Sequence, residues 1–472
     1  MTLSGAIAGK LQRMTFIDEN KIHDELLNIS EDSGVVMEIL ARARELKGLA
    51  RKDVARLTAI HSPELLELLY ETARYVKETI YGRRLVLFAP LYISNLCSNE
   101  CTYCAFRAGN TGLERRCLGR DEIRREARTL AEQGHKRILL VTGESYPSGD
   151  FRYVVDAIGT VYEAARAGHE IRRVNVNIAP LDTDQFRELK KAKIGTYQLF
   201  QETYHRETYA SVHRAGKKSD YLWRLTAMDR ALESGIDDIG LGVLFGLHDW
   251  RFELLALMQH VEHLEQNFGI GPHTVSVPRL EPALGSEISL SPPDRVSDED
   301  FRKIMAILRI AIPYTGIIMS TRESPVMRME SFALGVSQIS AGSRTSPGAY
   351  GSGEDDEGGG QFSLGDHRDL DEVIADIVRL GYIPSFCTAC YRLGRTGADF
   401  MDLAKPGEIR HHCDPNALST FLEYLLDYAS PDTKIAGVKL INDILAGFDA
   451  QGRHRASAML EQIRSGRRDV FC

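Results

Sequence analysis

LVLFAPLYISNLCSNECTYC, residues 85–104, runs an unbroken apolar segment directly into three cysteines. The apolar part, Leu85–Tyr92, carries no polar alternation, which is the texture of a strand buried on both faces. Cys97, Cys101 and Cys104 follow with three and then two residues between them. A four-iron cubane takes thiolates as its usual ligands. Three thiolates from one short loop leave one iron free to hold something else. A zinc loop of this kind would want a fourth Cys or His close by, and Cys117 is displaced by a stretch rich in Gly and Arg.

Working outward, the same apolar texture recurs at Arg137–Thr142, Arg173–Ile178, Thr196–Gln201, Asp238–Leu244, His273–Arg279, Gly316–Ser320 and Gln338–Ala341. Amphipathic helical stretches such as Asp121–Gln133, Phe151–Ala167, Asp182–Lys191, Ser219–Ser234, Phe252–Asn267 and Ser297–Ile310 separate them. Strands alternating with helices and few hairpin signals predict an α/β fold, a (β/α)8 TIM-type barrel over 84–345. Chemistry in such a barrel sits on the loops after the strands, where the cysteines fall. Residues 1–83 read as an N-terminal helical region, with Ser62-Pro63 opening a helix as N-cap serine and first-turn proline. Residues 346–472 read as a mainly helical C-terminal extension. It begins with a Gly- and acid-rich segment, Ser346–Gln361, expected to be a flexible surface loop.

Composition narrows the class. A net charge of −8 with scattered basic residues excludes a nucleic-acid tract, and no apolar run is long enough to span a membrane. With no secretory signal pattern, the expectation is a cytoplasmic protein. Eight cysteines, six of them in two tight groups, point to metal rather than disulfides in a reducing compartment. Cys117 and Cys472 stand alone. They are expected to be structural or surface thiols, the latter on a disordered terminus.

The C-x3-C-x2-C spacing with an aromatic residue, Tyr103, before the last cysteine resembles the signature of the radical S-adenosylmethionine (SAM) superfamily. Thr142, Gly143 and Glu144, after the second strand, resemble that superfamily's motif for the SAM amino group. By itself the tripeptide also reads as an ordinary strand-to-helix turn. The resemblance implies a 4Fe-4S cluster on Cys97, Cys101 and Cys104 that chelates SAM and drives its reductive cleavage to methionine and a 5′-deoxyadenosyl radical.

A second group, Cys387 and Cys390 in "CTAC" and Cys413 after twenty-two more residues, lies in the extension. Spacing alone leaves two readings: zinc with His411 or His412 as fourth ligand, or a second cluster. A barrel followed by C-x2-C-x22-C resembles the HydG family, the tyrosine lyases of FeFe-hydrogenase maturation. The likeness runs through 172–180, 197–209, 224–244, 271–283, 314–324, 337–343 and 387–397. It implies a second 4Fe-4S cluster carrying an additional iron, and cleavage of L-tyrosine at Cα–Cβ. The products would be p-cresol and a dehydroglycine fragment, source of carbon monoxide and cyanide for the hydrogenase H-cluster. It also implies an electron donor such as a ferredoxin or flavodoxin, and hydrogenase-maturation scaffold proteins as partners. His273 becomes a candidate ligand of the extra iron at the bottom of the barrel; without the resemblance it reads as a core or strand-start histidine.

For the substrate carboxylate, Arg322 with Ser320 and Thr321 at the end of the seventh strand is the candidate, since a guanidinium matches a carboxylate bidentately. Arg279 and Glu202 are weaker candidates on the same face, with Glu202 a contact to SAM or to substrate polar groups. The alternative activity is that of 2-iminoacetate synthase in thiamine thiazole biosynthesis, which lacks the second cysteine group. A zinc-dependent barrel protein or a non-catalytic iron–sulfur scaffold is the alternative from another class.

Overall fold

Eight parallel strands close a barrel: β1 (Arg84–Ser94), β2 (Arg137–Thr142), β3 (Arg173–Asn177), β4 (Tyr197–Gln198), β5 (Ile239–Gly242), β6 (Thr274–Ser276), β7 (Gly316–Met319) and β8 (Val336–Ser340). The computed structural model describes residues 15–165, 168–352 and 359–472. Closure rests on β1, which pairs with β2 (Ala89 opposite Ile138) and with β8 (Val86 opposite Gln338). All eleven residues of β1 and all six of β2 are buried. Helices cover the outer face and side chains fill the inside, so neither strand needs a polar face.

Each segment read as a strand carries one. The expected helix Ser219–Ser234 is instead two, Tyr221–Leu225 and Ala227–Glu233. The break at Thr226 has a visible cause. Its hydroxyl turns back on Leu222 O at 2.8 Å and its carbonyl accepts from Arg230 Nη1 at 3.1 Å, so both groups are diverted locally.

Of four N-terminal helices, Glu19–Leu26, Arg51–Thr58 and Pro63–Tyr81 pack on the barrel's outer helices Trp250–Phe268 and Asp298–Ala311, and Ser33–Ala43 packs on Arg51–Thr58 and Pro63–Tyr81. Arg51 stitches the contact through Glu25 and Glu262, each at 3.2 Å. Pro63 opens its helix as expected, but the Ser62 side chain makes no cap bond; its amide is taken by Glu31 at 2.8 Å.

The extension adds an element the sequence did not announce. A ninth strand, β9 (Ile383–Ser385), lies parallel to the beginning of β1, Arg84 opposite Ile383. It delivers Cys387 to the N-terminal end of the barrel. Helix Arg410–Asp427 carries Cys413 and is anchored by Glu423, buried against Arg172 at 2.5 Å and Lys136 at 3.8 Å. The Gly-rich segment departs from the expected surface loop. Residues 353–358 lie outside the described residues, but Ala349–Ser352 is helical and Gln361 and Phe362 line an interior cavity. Cys472 is not disordered: its backbone N–H donates to Asn416 Oδ1 at 2.8 Å and its carbonyl accepts from Arg395 Nη2 at 2.6 Å.

Candidate active site and auxiliary metal centre

The upper cavity opens at the C-terminal ends of the strands and encloses about 1330 Å³ free of protein atoms, mouth included. Its wall brings together Cys97, Cys101, Cys104, Tyr103, Thr142, Gly143, Glu144, Glu202, Ser320, Thr321 and Arg322. These residues come from the C-terminal ends of four different strands, β1, β2, β4 and β7, and the loops after them.

The cysteine loop is held by a neighbouring turn. Thr102 N donates to Val212 O at 2.9 Å and Glu100 N to Ala215 O at 3.0 Å. Gly143 abuts the loop from β2, where a Cβ would sit 2.2 Å from Leu96 O; only glycine allows that approach. Burial pushes the Cys97 and Cys101 thiols up and the Cys104 thiol to about 11. Thiols that resist ionising alone lose their protons to a bound cation. A soft trio along one wall therefore fits a cluster.

Beside the cysteines lies a buried quartet, Glu144, Glu202, Lys218 and Arg224. Glu144 accepts from Arg224 Nη1 at 3.0 Å and from Asn99 Nδ2 at 2.8 Å. Glu202 pairs with Lys218 at 2.7 Å and with Arg224 at 3.5 Å. Burial alone would raise the Glu144 carboxyl, yet Arg224 and Lys218 outweigh it and hold the group below its usual range. Glu202 sits at φ 72°, a strained setting for a non-glycine residue. Tyr103 turns its hydroxyl toward His213 Nε2 at 2.7 Å, so its ring rather than its oxygen faces the cavity.

Arg322 makes no ion pair among the described residues; its guanidinium lies 3.3 Å from the centre of the Phe362 ring. Its edge is therefore left for a ligand while its face is covered. Arg279 is different. Glu323 and Asp298 engage its guanidinium, the latter at 2.7 Å, and it does not line the cavity. The sequence reading missed Asn99, Lys218, Arg224, Gln361 and Phe362. Only Lys218, in "GKKSD", carried a local signal, as part of a basic pair in a turn.

The lower cavity, about 520 Å³, lies at the opposite end of the barrel and is lined by Cys387, Cys390, Cys413 and His273. Arg84 and Arg137 stand in its wall. Ala389 N–H donates to Cys387 Sγ at 3.4 Å, and Cys390 and Cys413 share a hydrogen bond. His411 is exposed and pairs with Glu408 at 3.4 Å, and neither His411 nor His412 lines the cavity. Among the described residues, no three His, Cys, Asp or Glu side chains converge as ligands of a single ion. Three thiols with His273 as the one histidine in the wall are a soft donor set of the kind that holds an iron–sulfur cluster. His273 Nδ1 is 2.8 Å from Asp238 Oδ2, which leaves Nε2 for a metal.

The fold and the upper site define a radical SAM enzyme. A model of the radical SAM superfamily matches residues 91–258, and one of the biotin and thiamin synthesis associated domain matches 276–383. The chain is 33% identical to 2-iminoacetate synthase of Escherichia coli strain K12 over 344 residues, 73% of this chain and 88% of that one. Solved structures resemble it over more of its length. The crystal structure of HydG, a maturase of the FeFe-hydrogenase, superposes with TM-score 0.93 at 46% identity, covering 97% of this chain and all of that one. HydG from Carboxydothermus hydrogenoformans gives TM-score 0.80 at 42% identity, covering 98% of this chain. The chain belongs to the HydG family of FeFe-hydrogenase maturases.

Proposed function

We propose that this protein cleaves L-tyrosine at Cα–Cβ in the upper cavity, releasing p-cresol and a dehydroglycine fragment. Carbon monoxide and cyanide derived from the fragment are collected on an iron at the lower cavity, for assembly of the hydrogenase H-cluster. The observation that carries this reading is one barrel with three thiols lining a cavity at each end, the lower with a carboxylate-oriented imidazole. The likeness to HydG structures supports it.

Cys97, Cys101 and Cys104 would hold the first 4Fe-4S cluster and Cys387, Cys390 and Cys413 the second. Cluster and SAM, when bound, supply a carbon radical able to take a hydrogen atom from the substrate amino group. The chain's residues do the rest. Thr142, Gly143 and Glu144 receive the SAM amino group, with Glu144 kept ionised by Arg224. Arg322 offers its guanidinium edge to the tyrosine carboxylate, with Ser320 and Thr321 beside it. Glu202, tied to Lys218, orients polar groups and is not needed as a base. At the lower end, His273 Nε2 would ligate the iron that is cargo. The upper cluster needs an outside electron donor of the ferredoxin or flavodoxin type, and the cargo iron needs a maturation scaffold to receive it. No helix among the described residues can cross a membrane, in keeping with a cytoplasmic site of action.

The likeness to 2-iminoacetate synthase favours a second reading in which chemistry ends at the upper site, but it leaves Cys387, Cys390 and Cys413 without a task. Incubating the reduced, reconstituted protein with SAM and tyrosine decides. We expect p-cresol together with carbon monoxide. Cresol alone would favour the second reading, and neither product would remove both.

A further inference from the structure

Arg115 is a cation that the reaction does not use, placed behind the loop that carries the upper thiols. Its Nη1 donates to Asn95 O at 2.9 Å and Phe106 O at 2.8 Å. Its Nη2 reaches the carbonyls of Arg107, Ala108 and Asn110, the last two at 3.4 and 3.3 Å. All five acceptors lie within residues 95–110, the stretch containing Cys97, Cys101 and Cys104. The neighbouring arginines are neutralised, Arg107 by Glu100 at 3.5 Å and Arg116 by Glu122 at 3.0 Å. Arg115 has no carboxylate partner among the described residues.

Five of the loop's carbonyls gather on Arg115, while two of its N–H groups are taken up within the loop: Phe106 N–H donates to the Cys104 sulfur, and Ala108 N–H to Asn99 O at 2.9 Å. Asn99 is the residue that also holds Glu144. Five carbonyl oxygens crowded together need a donor for each. The two Nη nitrogens bring four N–H groups in a fixed plane, where an ammonium brings three, and Arg107 O takes a further N–H from Asn110 at 3.0 Å. A full positive charge without a counter-carboxylate also favours anionic thiolates and the extra electron of a reduced cluster.

We infer that Arg115 is the positioning residue and resident counter-charge of the upper cluster loop. It shapes the loop before iron arrives and makes the bound cluster easier to reduce. The inference rests on the upper cluster of the proposed function.

The test uses the full chain, anaerobically reconstituted, carrying Cys387→Ser and Cys413→Ser so that the upper site alone reports. Arg115→Met should fold, by circular dichroism, yet surrender iron to a chelator about tenfold faster than the parent. At one fixed ambient potential its ratio of reduced to oxidised cluster should also fall about tenfold, which is ~59 mV for a one-electron couple. Arg115→Lys keeps the charge but not the fork, so iron loss should still accelerate while the midpoint potential stays with the parent. Parental chelation rate and midpoint in Arg115→Met would overturn the inference. Should that variant not fold, Arg115→Lys decides, an unchanged chelation rate being the overturning result. A parent that takes up zinc, or no iron, at the upper site would instead defeat the cluster assignment beneath it.

Discussion

His273 Nδ1 stands 2.8 Å from Asp238 Oδ2 at the floor of the barrel, with the His273 ring stacked on Phe400 at 4.1 Å. Asp238 is buried, which alone would raise its carboxyl, but His273 outweighs that and keeps the group below its usual range. A carboxylate on one ring nitrogen fixes the imidazole's orientation and makes the other nitrogen a better metal ligand. Asp238→Asn should therefore weaken retention of the cargo iron about 10- to 100-fold, the usual cost of losing such a partner. Iron released to a chelator and carbon monoxide yield measure it. Cresol formation should stay near the parent rate, and an equal loss of cresol would contradict the separation of the two ends.

The two-ended arrangement makes a sharper demand on the cysteines. Cys387→Ser together with Cys390→Ser should spare p-cresol and abolish carbon monoxide, because the upper cavity shares no lining residue with the lower one. Quantifying both products from one reaction is sufficient. Parallel loss of both would mean that the lower trio supports the upper site rather than serving its own step.

How far the sequence could anticipate this depends on where each contact partner lies along the chain. The eight barrel strands were legible because each is a short apolar run between amphipathic helices, a local property. The upper trio was legible for the same reason. Gln361 was not: its amide reaches Tyr92 and Cys104, the latter 257 residues away, from a segment whose composition says only loop. Arg224 and Asp238 were missed because a helix arginine and a strand-start aspartate are ordinary until the fold sets them beside Glu144 and His273. β9 was missed because three residues containing Pro384 carry too little pattern.

Arg322 gives the substrate prediction. Its face is covered by Phe362 at 3.3 Å and no carboxylate among the described residues pairs with it. A charge-assisted hydrogen bond contributes about 1.5–3 kcal/mol, or roughly 10- to 100-fold in affinity. Arg322→Met should raise the KM for tyrosine by about that factor. Arg322→Lys should fall between, since it keeps the charge and loses the fork. The dissociation constant for SAM, measured without tyrosine, should not move. A large change in SAM binding would reassign the residue to the cofactor.

Glu253 yields a prediction in pH. It is buried beneath the turn that follows Glu202, accepting from Tyr204 N at 2.8 Å and contacting the Thr203 hydroxyl. Burial pushes its carboxyl from 4.5 up to about 8, against the lowering effect of those two hydrogen bonds. The folded chain then keeps a proton that the unfolded chain gives up. Between about pH 4.5 and 8 the unfolded state binds fewer protons, so this group makes stability fall as pH rises. The slope is at most about 1.4 kcal/mol per pH unit. Below that window the penalty is absent, and above it the penalty is constant. Glu253→Gln copies the protonated shape and cannot ionise. The variant should match the parent's unfolding midpoint near pH 5 and exceed it increasingly toward pH 8, while keeping Glu202 in place and cresol formation intact. A difference between the two proteins that does not change with pH would mean that Glu253 is ionised in the fold. Loss of cresol formation in the variant would mean that the turn needs the carboxylate charge itself.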